Sequence, residues 1–228
     1  MNFETFESKI GHSFISKVLL EQAFTHRSYL NENRASRLEH NERLEFLGDA
    51  VLELVVTEFL FAKYPEKPEG DLTAIRAALV NTVSISDAAT KLGMNEYLLL
   101  SRGEARDTGR ARGIILANAF EALIGALYLD AGYDAAKKFI ADQLFHKTED
   151  VVAKRLWQDA KSRLQELSQE KMKVTPLYQL LEQSGPDHDR VFVVGAFVGS
   201  EKIATGEGRS KQEAEQDAAQ KALAAKGW

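Results

Sequence analysis

Residues 41–54 read NERLEFLGDAVLEL, and this stretch decides how the first part of the chain folds. Leu44, Leu47 and Val51 recur at helical spacing, so the sequence predicts one helix that continues as far as Pro65. Because an α-helix turns about 100° per residue, the acids of this helix fall within one narrow stripe. They are Glu42, Glu45, Asp49 and Glu53.

The surroundings of the acidic stripe leave two interpretations open. The flanking side chains are apolar, which is typical of a buried helix. Buried carboxylates repel one another and lose hydration, so they persist only where cations or protons neutralise them. This favours a metal-binding cluster. The alternative is a solvated acidic face on an ordinary helix, because acids are the usual occupants of helix surfaces.

A second stretch, residues 116–130, reads LANAFEALIGALYLD and carries a complementary pattern. Asn118 and Glu121 lie three residues apart on one face of a helix that is otherwise apolar. Gly125 continues that face, and its missing side chain predicts the close approach of another helix. If the two helices pack face to face, their oxygen atoms form one site of the kind that suits Mg²⁺ or Mn²⁺.

Composition limits the class of protein. A length of 228 residues with 44% apolar residues allows one large or two modest domains with a real core. The absence of cysteine excludes disulfides and thiolate metal sites and fits a reducing cytosol, so a cytoplasmic location is expected. No signal peptide and no membrane span is expected either. The net charge of −5 argues mildly against a nucleic acid partner, although bound cations can recruit phosphates.

The chain changes character near residue 150, which predicts a domain boundary. Residues 1–150 read as helices, and residues 151–158 read as a short charged connector. Residues 159–228 contain a helix, three β-rich runs and a final helix. The predicted fold class is therefore an all-α domain followed by a small α+β domain of order α-β-β-β-α.

Two further features have competing interpretations. Residues 101–113, SRGEARDTGRARG, hold four arginines and three glycines, which fits either a mobile basic loop near phosphates or a solvated loop. His26 beside Arg27 suggests a catalytic group, but a structural histidine that forms local hydrogen bonds is the favoured interpretation.

These motifs carry a resemblance to a known family. The segment ERLEFLGDAVL, followed by LANAFEALIGALYLD, resembles the ribonuclease III domain. Near the C-terminus, GEGRSKQEAEQDAAQKAL is similar to the last helix of the double-stranded RNA-binding domain. Together the two parts resemble bacterial members of the ribonuclease III family over essentially the whole chain.

The resemblance implies an endoribonuclease that cleaves double-stranded RNA by two-metal-ion hydrolysis and leaves 5′-phosphate and 3′-hydroxyl ends. It implies Mg²⁺ as cofactor, with Mn²⁺ able to substitute, and a role in processing ribosomal and messenger RNA precursors. It also implies a homodimer in which Phe46 contacts the partner subunit. The implied catalytic residues are Glu42, Glu45, Asp49 and Glu121, and the implied metal ligands are Glu45, Asp49, Asn118 and Glu121. Glu42 fits an outer ligand or a part of the acidic rim.

In the second domain the resemblance implies three RNA-binding regions. Polar groups without net charge suit the shallow minor groove of A-form RNA, and most of the polar face of the first helix is of this kind. That face holds Ser162, Gln165, Glu166 and Gln169. His188 matches a loop histidine that reaches the next minor groove. Ser210 and Lys211 match the start of the last helix, which faces the phosphates.

Two departures from the family pattern leave the function open. The family has Asp where this chain has Asn118, which keeps a carbonyl oxygen but loses a negative charge. Asn118 is either a natural variant with weaker metal binding, an introduced change that slows cleavage, or the mark of a chain that binds duplex RNA without cutting it. Many relatives carry lysines at the positions of Gln212 and Glu215. Residues 157–228 hold ten Lys and Arg against eleven Asp and Glu, which predicts modest RNA affinity with a weak salt dependence.

Overall fold

The computed structural model describes residues 3–106, 108–153, 157, 159–186 and 190–228, and it divides into two compact units. The division falls between residues 157 and 158. The regular elements of the first unit are helices over its described residues, and the second unit holds a three-stranded sheet with two helices. The predicted fold class is confirmed. The predicted connector, residues 151–158, begins inside a short helix, and residues 154–156 and 158 lie outside the described part.

The helices of the first unit vary widely in length. They are α1 (Glu4–Ile10), α2 (Lys17–Ala23), α3 (Arg27–Glu32), α4 (Glu42–Lys63), α5 (Glu69–Val80), α6 (Thr82–Lys91), α7 (Arg102–Arg106), α8 (Arg110–Leu144) and α9 (Thr148–Ala153). The expectation of a loop over residues 101–113 is wrong in part, because α7 and the start of α8 occupy much of it.

Helices α4 and α8 form the centre of the first unit. Leu52, Val55 and Val56 of α4 are completely buried, and so are Phe120 and Leu123 of α8. Helix α8 also packs against α2 and α6. One side of α4 does not fit the expectation of a helix buried all round: it leaves Phe46, Ala50 and Leu54 exposed.

Two glycines allow the backbones of α4 and α8 to touch. A Cβ atom added to Gly48 would lie 1.7 Å from the carbonyl oxygen of Glu121, and one added to Gly125 would lie 2.2 Å from that of Leu44. No side chain fits in such a space, so each helix presents bare backbone to the other. The close approach predicted at Gly125 is confirmed, and Gly48 is its counterpart on α4.

The start of α4 is anchored by Asn41, which is buried. Its side-chain amide donates to the carbonyl oxygen of Ala23 at 3.2 Å, and its backbone N–H donates to that of Thr25 at 2.9 Å. Nearby, the His26 ring lies 2.8 Å from the hydroxyl of Ser28 and accepts the backbone N–H of Ser28. His26 thereby caps the start of α3. The interpretation of His26 as a locally bonded structural residue is confirmed. The hydrogen bonds of Asn41 fix the position at which the acidic helix α4 starts.

Helix α8 is long and apolar enough, by length and composition alone, to cross a membrane. A buried core helix has the same properties, and most of this segment is buried within the first unit. Its backbone is also interrupted at Gly132, where φ is 81° and ψ is −175°. Packing against α2, α4 and α6 therefore accounts for its apolar surface.

The second unit has the α-β-β-β-α order. Its elements are α10 (Ala160–Met172), β1 (Pro176–Ser184), β2 (Val191–Val198), β3 (Glu201–Gly208) and α11 (Lys211–Lys226). The strands are antiparallel in the order β1-β2-β3. Leu164 of α10, Ala196 of β2 and Ala218 of α11 meet in the core of this unit. The missing side chain of Gly206 lets α11 approach β3, because a Cβ there would lie 2.1 Å from the backbone nitrogen of Ala218.

Gly48→Ala is expected to destabilise the first unit by about 3 kcal/mol, because the clash is with backbone and no rotamer change relieves it. Gly70→Ala is the matched control: Gly70 lies in α5, and an added Cβ meets no atom within 4 Å. That control should be neutral or should stabilise the fold by up to about 1 kcal/mol. Urea unfolding measures both changes, and a Gly48→Ala protein as stable as the wild type would contradict the backbone contact.

Candidate active site

Helix α8 brings one carboxylate into the electrostatic field of the α4 acids. Glu121 lies one turn before Gly125, and its carbonyl oxygen is the atom that Gly48 faces. Burial, and then the charges of Asp49, Glu45 and Glu53, raise the pKa of Glu121 to about 7. The close contact of the helices therefore joins the acids predicted on two separate stretches into one cluster.

Three of these carboxylates have no positive partner among the residues that the structure describes. Among the described residues, none forms a hydrogen bond or ion pair with the side chains of Glu45, Asp49 or Glu121. Burial, and then the charges of Glu42 and Asp49, also raise the pKa of Glu45. We call Glu45, Asp49 and Glu121 the carboxylate cluster. Such a cluster has a strong tendency to bind protons or cations.

The other two acids of the stripe are neutralised by the protein. Glu42 forms an ion pair of 3.0 Å with Arg27 and lies 3.7 Å from the ring of His40. Glu53 forms an ion pair of 2.6 Å with Arg76. Glu42 therefore lies at the rim, next to the cluster but paired, and its predicted catalytic role stays a prediction.

Asn118 adds a neutral oxygen beside the cluster. It lies on α8 one turn before Glu121, it is half-buried, and its side chain has no recorded hydrogen-bond partner within the described residues. An aspartate at this position would add a fourth charge to carboxylates that already repel one another. The amide lowers that repulsion and also lowers the attraction for a cation.

The chemistry of the cluster fits a hard divalent cation, because every donor is an oxygen. Within the described residues, however, no three Asp, Glu or His side chains are already arranged to hold one ion. Carboxylates without a counter-charge are pushed apart by their own repulsion. Binding an ion would therefore require these side chains to rearrange.

An apolar surface borders the acidic one on α4. Phe46 is 81% exposed and Leu54 is 57% exposed, which is unusual for side chains of this size. Phe46 also lines a cavity of about 580 Å³ together with Leu47 of α4 and Leu129 of α8. An exposed ring beside a cavity marks a candidate contact surface.

In the second unit, α10 divides as predicted. Its polar side chains, Ser162, Gln165, Glu166 and Gln169, are all exposed. Leu164 is completely buried, and Leu167 packs against the same core. The structure therefore brings the predicted minor-groove residues together on one exposed face. His188 lies outside the described residues.

The start of α11 has the geometry of a capped helix. The Ser210 hydroxyl accepts the backbone N–H of Glu213 at 3.1 Å, and the Glu213 carboxylate accepts that of Arg209 at 2.9 Å. The side chain of Lys211 is exposed at this end. Ser210 therefore serves first as a helix cap, which also fixes the position of Lys211.

Known families match both units. The Ribonuclease-III-like family matches residues 16–148, and the double-stranded RNA binding motif matches residues 160–226. The chain belongs to the ribonuclease III family. The ribonuclease 3 of Enterococcus faecalis is 48% identical over 217 residues, which cover 95% of this chain and 94% of the relative. The ribonuclease 3 of Bdellovibrio bacteriovorus is 45% identical and covers 96% of this chain and 94% of its own length.

A solved structure supports the same assignment for the first unit. The nuclease domain of ribonuclease III from Campylobacter jejuni is 42% identical, with a TM-score of 0.56. The match covers 62% of this chain and 98% of that domain. The reported structure of that domain concerns flexibility in a region involved in its dimer formation. The carboxylate cluster thus lies within the nuclease unit of a ribonuclease III family member.

Sequence reasoning missed the partners that separate paired from unpaired acids. Arg27 and Arg76 come from α3 and α5, and nothing in their local sequence links them to α4. It also missed Gly48, although a signal was present. Glycine inside a helix costs roughly 1 kcal/mol, so its presence in the middle of α4 indicates a need for close packing.

Glu121→Gln is expected to stabilise the metal-free protein at about pH 8 and to have little effect near pH 4. The raised pKa means that folded Glu121 holds its proton more tightly than the unfolded chain, in which it titrates near 4.5. Stability is therefore lost as the pH rises from 4.5 to about 7. A neutral glutamine removes that loss. Thermal unfolding in EDTA across this range measures it, and identical pH profiles for variant and wild type would contradict the electrostatic cluster.

Proposed function

We propose that this chain is an endoribonuclease that hydrolyses double-stranded RNA with divalent cations held by the carboxylate cluster. The observation that carries the proposal is the uncompensated charge of Glu45, Asp49 and Glu121. A protein that needed these acids only for stability would pair them, as it pairs Glu42 and Glu53. Membership of the ribonuclease III family supports the choice of RNA as substrate.

Mg²⁺ is the proposed cofactor, and Mn²⁺ can substitute for it. Both cations prefer oxygen ligands, and neither needs a cysteine or histidine. When bound, two such ions supply the Lewis acidity that activates water and stabilises the leaving 3′-oxygen in a two-metal hydrolysis. The expected products carry 5′-phosphate and 3′-hydroxyl ends. No protein nucleophile is required.

The residues of the chain have distinct proposed tasks. Glu45, Asp49 and Glu121 supply charged ligands, and Asn118 supplies a neutral carbonyl oxygen. Glu42 shapes the rim, where Arg27 holds it in place. The second unit holds the duplex through the polar face of α10, through His188 and through the start of α11. The proposed RNA-binding residues are Ser162, Gln165, Glu166, Gln169, His188, Ser210 and Lys211.

We further propose that the protein acts as a homodimer in the cytoplasm, processing ribosomal and messenger RNA precursors. A contact around a two-fold axis uses the same patch twice, so a patch with both a projecting ring and a cavity can be complementary to itself. Phe46 and the cavity beside it have this combination. Two nuclease units placed together in this way can each cut one strand of a duplex.

Phe46→Ala is expected to shift the protein from dimer toward monomer, because the exposed ring loses its place in the partner's cavity. Val83→Ala is the control, since Val83 is 70% exposed but lies on α6, away from the cavity. Sedimentation equilibrium measures both. A Phe46→Ala protein that remains as dimeric as the wild type would rule out this contact surface.

Cleavage of a perfect RNA duplex is the direct test of the proposed activity. Mg²⁺ should support cleavage and EDTA should abolish it. Glu121→Gln should slow cleavage by more than the about 10–100-fold that loss of an outer partner of a metal site costs. Glu53→Gln is the matched control, because Glu53 lies on the same stripe but is already paired with Arg76. Equal losses in both variants, or activity that survives EDTA, would contradict the proposal.

A second candidate function is duplex binding without cutting, which Asn118 favours. One experiment distinguishes the two functions: cleavage by the wild type and by Asn118→Asp is compared over a range of Mg²⁺ concentrations. If Asn118 only weakens metal binding, the aspartate variant reaches half-maximal cleavage at lower Mg²⁺, and Mn²⁺ partly rescues the wild type. Superimposed Mg²⁺ curves would contradict weaker metal binding. A wild type inactive with both metals would favour the binding protein.

A further inference from the structure

An ion pair joins the two helices of the second unit at its proposed RNA-binding face. The Lys161 ammonium of α10 lies 2.5 Å from a carboxylate oxygen of Glu215 on α11. Lys161 directly precedes Ser162, and Glu215 lies one turn after Lys211. The pair therefore connects the two regions to which RNA binding is assigned.

Lys161 is held on two sides. Its ammonium group also lies 5.1 Å from the centre of the Tyr178 ring, a cation–π distance. Its side chain is 33% exposed and that of Glu215 is 28% exposed. Other ion pairs of this unit have one partner more than half exposed, as in Lys221 with Asp217 and Lys226 with Glu201. Because the side chains of both Lys161 and Glu215 are largely shielded from solvent, salt screens their attraction less.

The pair borders a cavity that lies between the two RNA-binding regions. The cavity has a volume of about 290 Å³, and its lining includes Lys161, Ser162 and Gln165 of α10 and Gln212 of α11. Ser162 of α10 and Gln212, which directly follows Lys211, therefore both border this opening. Among the described residues that line it, Lys161 is the one cation.

We propose that Glu215 restrains RNA binding by occupying Lys161, whose ammonium group would otherwise bind a phosphate of the duplex. The carboxylate competes with the phosphate for the Lys161 ammonium group. The proposal rests on the RNA-binding role proposed for Ser162 and Lys211, and it adds a residue that sets the affinity of that face. Each phosphate contact made or lost changes the slope of log K against log salt by about 0.9.

Glu215→Gln tests the restraint in the full chain, with EDTA present to prevent cleavage. The amide keeps the shape of the side chain and can still contact Lys161, so thermal unfolding should show an intact fold. Fluorescence anisotropy with a labelled RNA duplex at several salt concentrations measures binding. The variant should bind about tenfold more tightly, as expected when a charged hydrogen bond is released to the ligand. Its salt slope should be steeper by about one unit.

Glu201→Gln is the matched control. It changes the net charge by the same amount and releases Lys226, whose ion pair of 3.1 Å lies at the opposite end of α11. Binding by this variant should stay within about twofold of wild type, because exposed charges far from the contact are screened. An equal gain in both variants would show an effect of net charge alone and would overturn the proposal, as would no gain in Glu215→Gln.

Two further variants separate this proposal from the RNA-binding face on which it rests. Lys161→Gln in the Glu215→Gln background should remove the gain. If the gain persists, Lys161 is not the released group and the proposal fails. Lys211→Gln should weaken binding if the start of α11 contacts phosphates. No loss with Lys211→Gln would reject the RNA-binding face itself, whereas a loss there without a gain in Glu215→Gln would reject only the restraint.

Discussion

The contact between the backbones of α4 and α8 is the constraint on which the nuclease unit depends. It is possible because Gly48 and Gly125 face each other's helix without side chains. The apolar core on both sides of the contact holds the helices together against the repulsion of the acids. The contact places Glu121 close enough to Asp49 and Glu45 for their charges, together with burial, to raise its pKa, and the charge of Asp49 also raises the pKa of Glu45. The site is therefore a consequence of how closely two helices pack.

The acids near the contact fall into two groups, those paired with arginines and those without a partner among the described residues, and this difference indicates function. Arginines from neighbouring helices neutralise Glu42 and Glu53, while no described residue pairs with the carboxylate cluster. Uncompensated repulsion between neighbouring carboxylates destabilises a folded unit, so it is expected where a bound cation restores the balance. Asn118 moderates this repulsion. In the second unit the roles of the charges are reversed. There an acid, Glu215, restrains the cation Lys161, which borders the cavity.

Much of the fold could be predicted because its signals are local. Helical spacing indicated α4 and α8, and the change from helices to a helix, three β-rich runs and a final helix indicated the second unit. Gly125 marked a close contact because glycine is costly within a helix. The partners Arg27, Arg76 and Lys161 could not be predicted, since each comes from another helix and depends on tertiary packing. The exposed face of α4 was misjudged for a related reason: apolar periodicity does not distinguish a core from a contact surface.

Direct measurement of Mn²⁺ binding, by electron paramagnetic resonance in the absence of RNA, tests the central claim most directly. Mn²⁺ is expected to bind the wild type and the Glu53→Gln variant alike, because Glu53 is already paired. Binding should weaken at least about tenfold in Asp49→Asn, which keeps the fold and removes one ligand charge. Unchanged Mn²⁺ affinity in Asp49→Asn, or an equal loss in Glu53→Gln, would contradict a metal site built where the two helices touch.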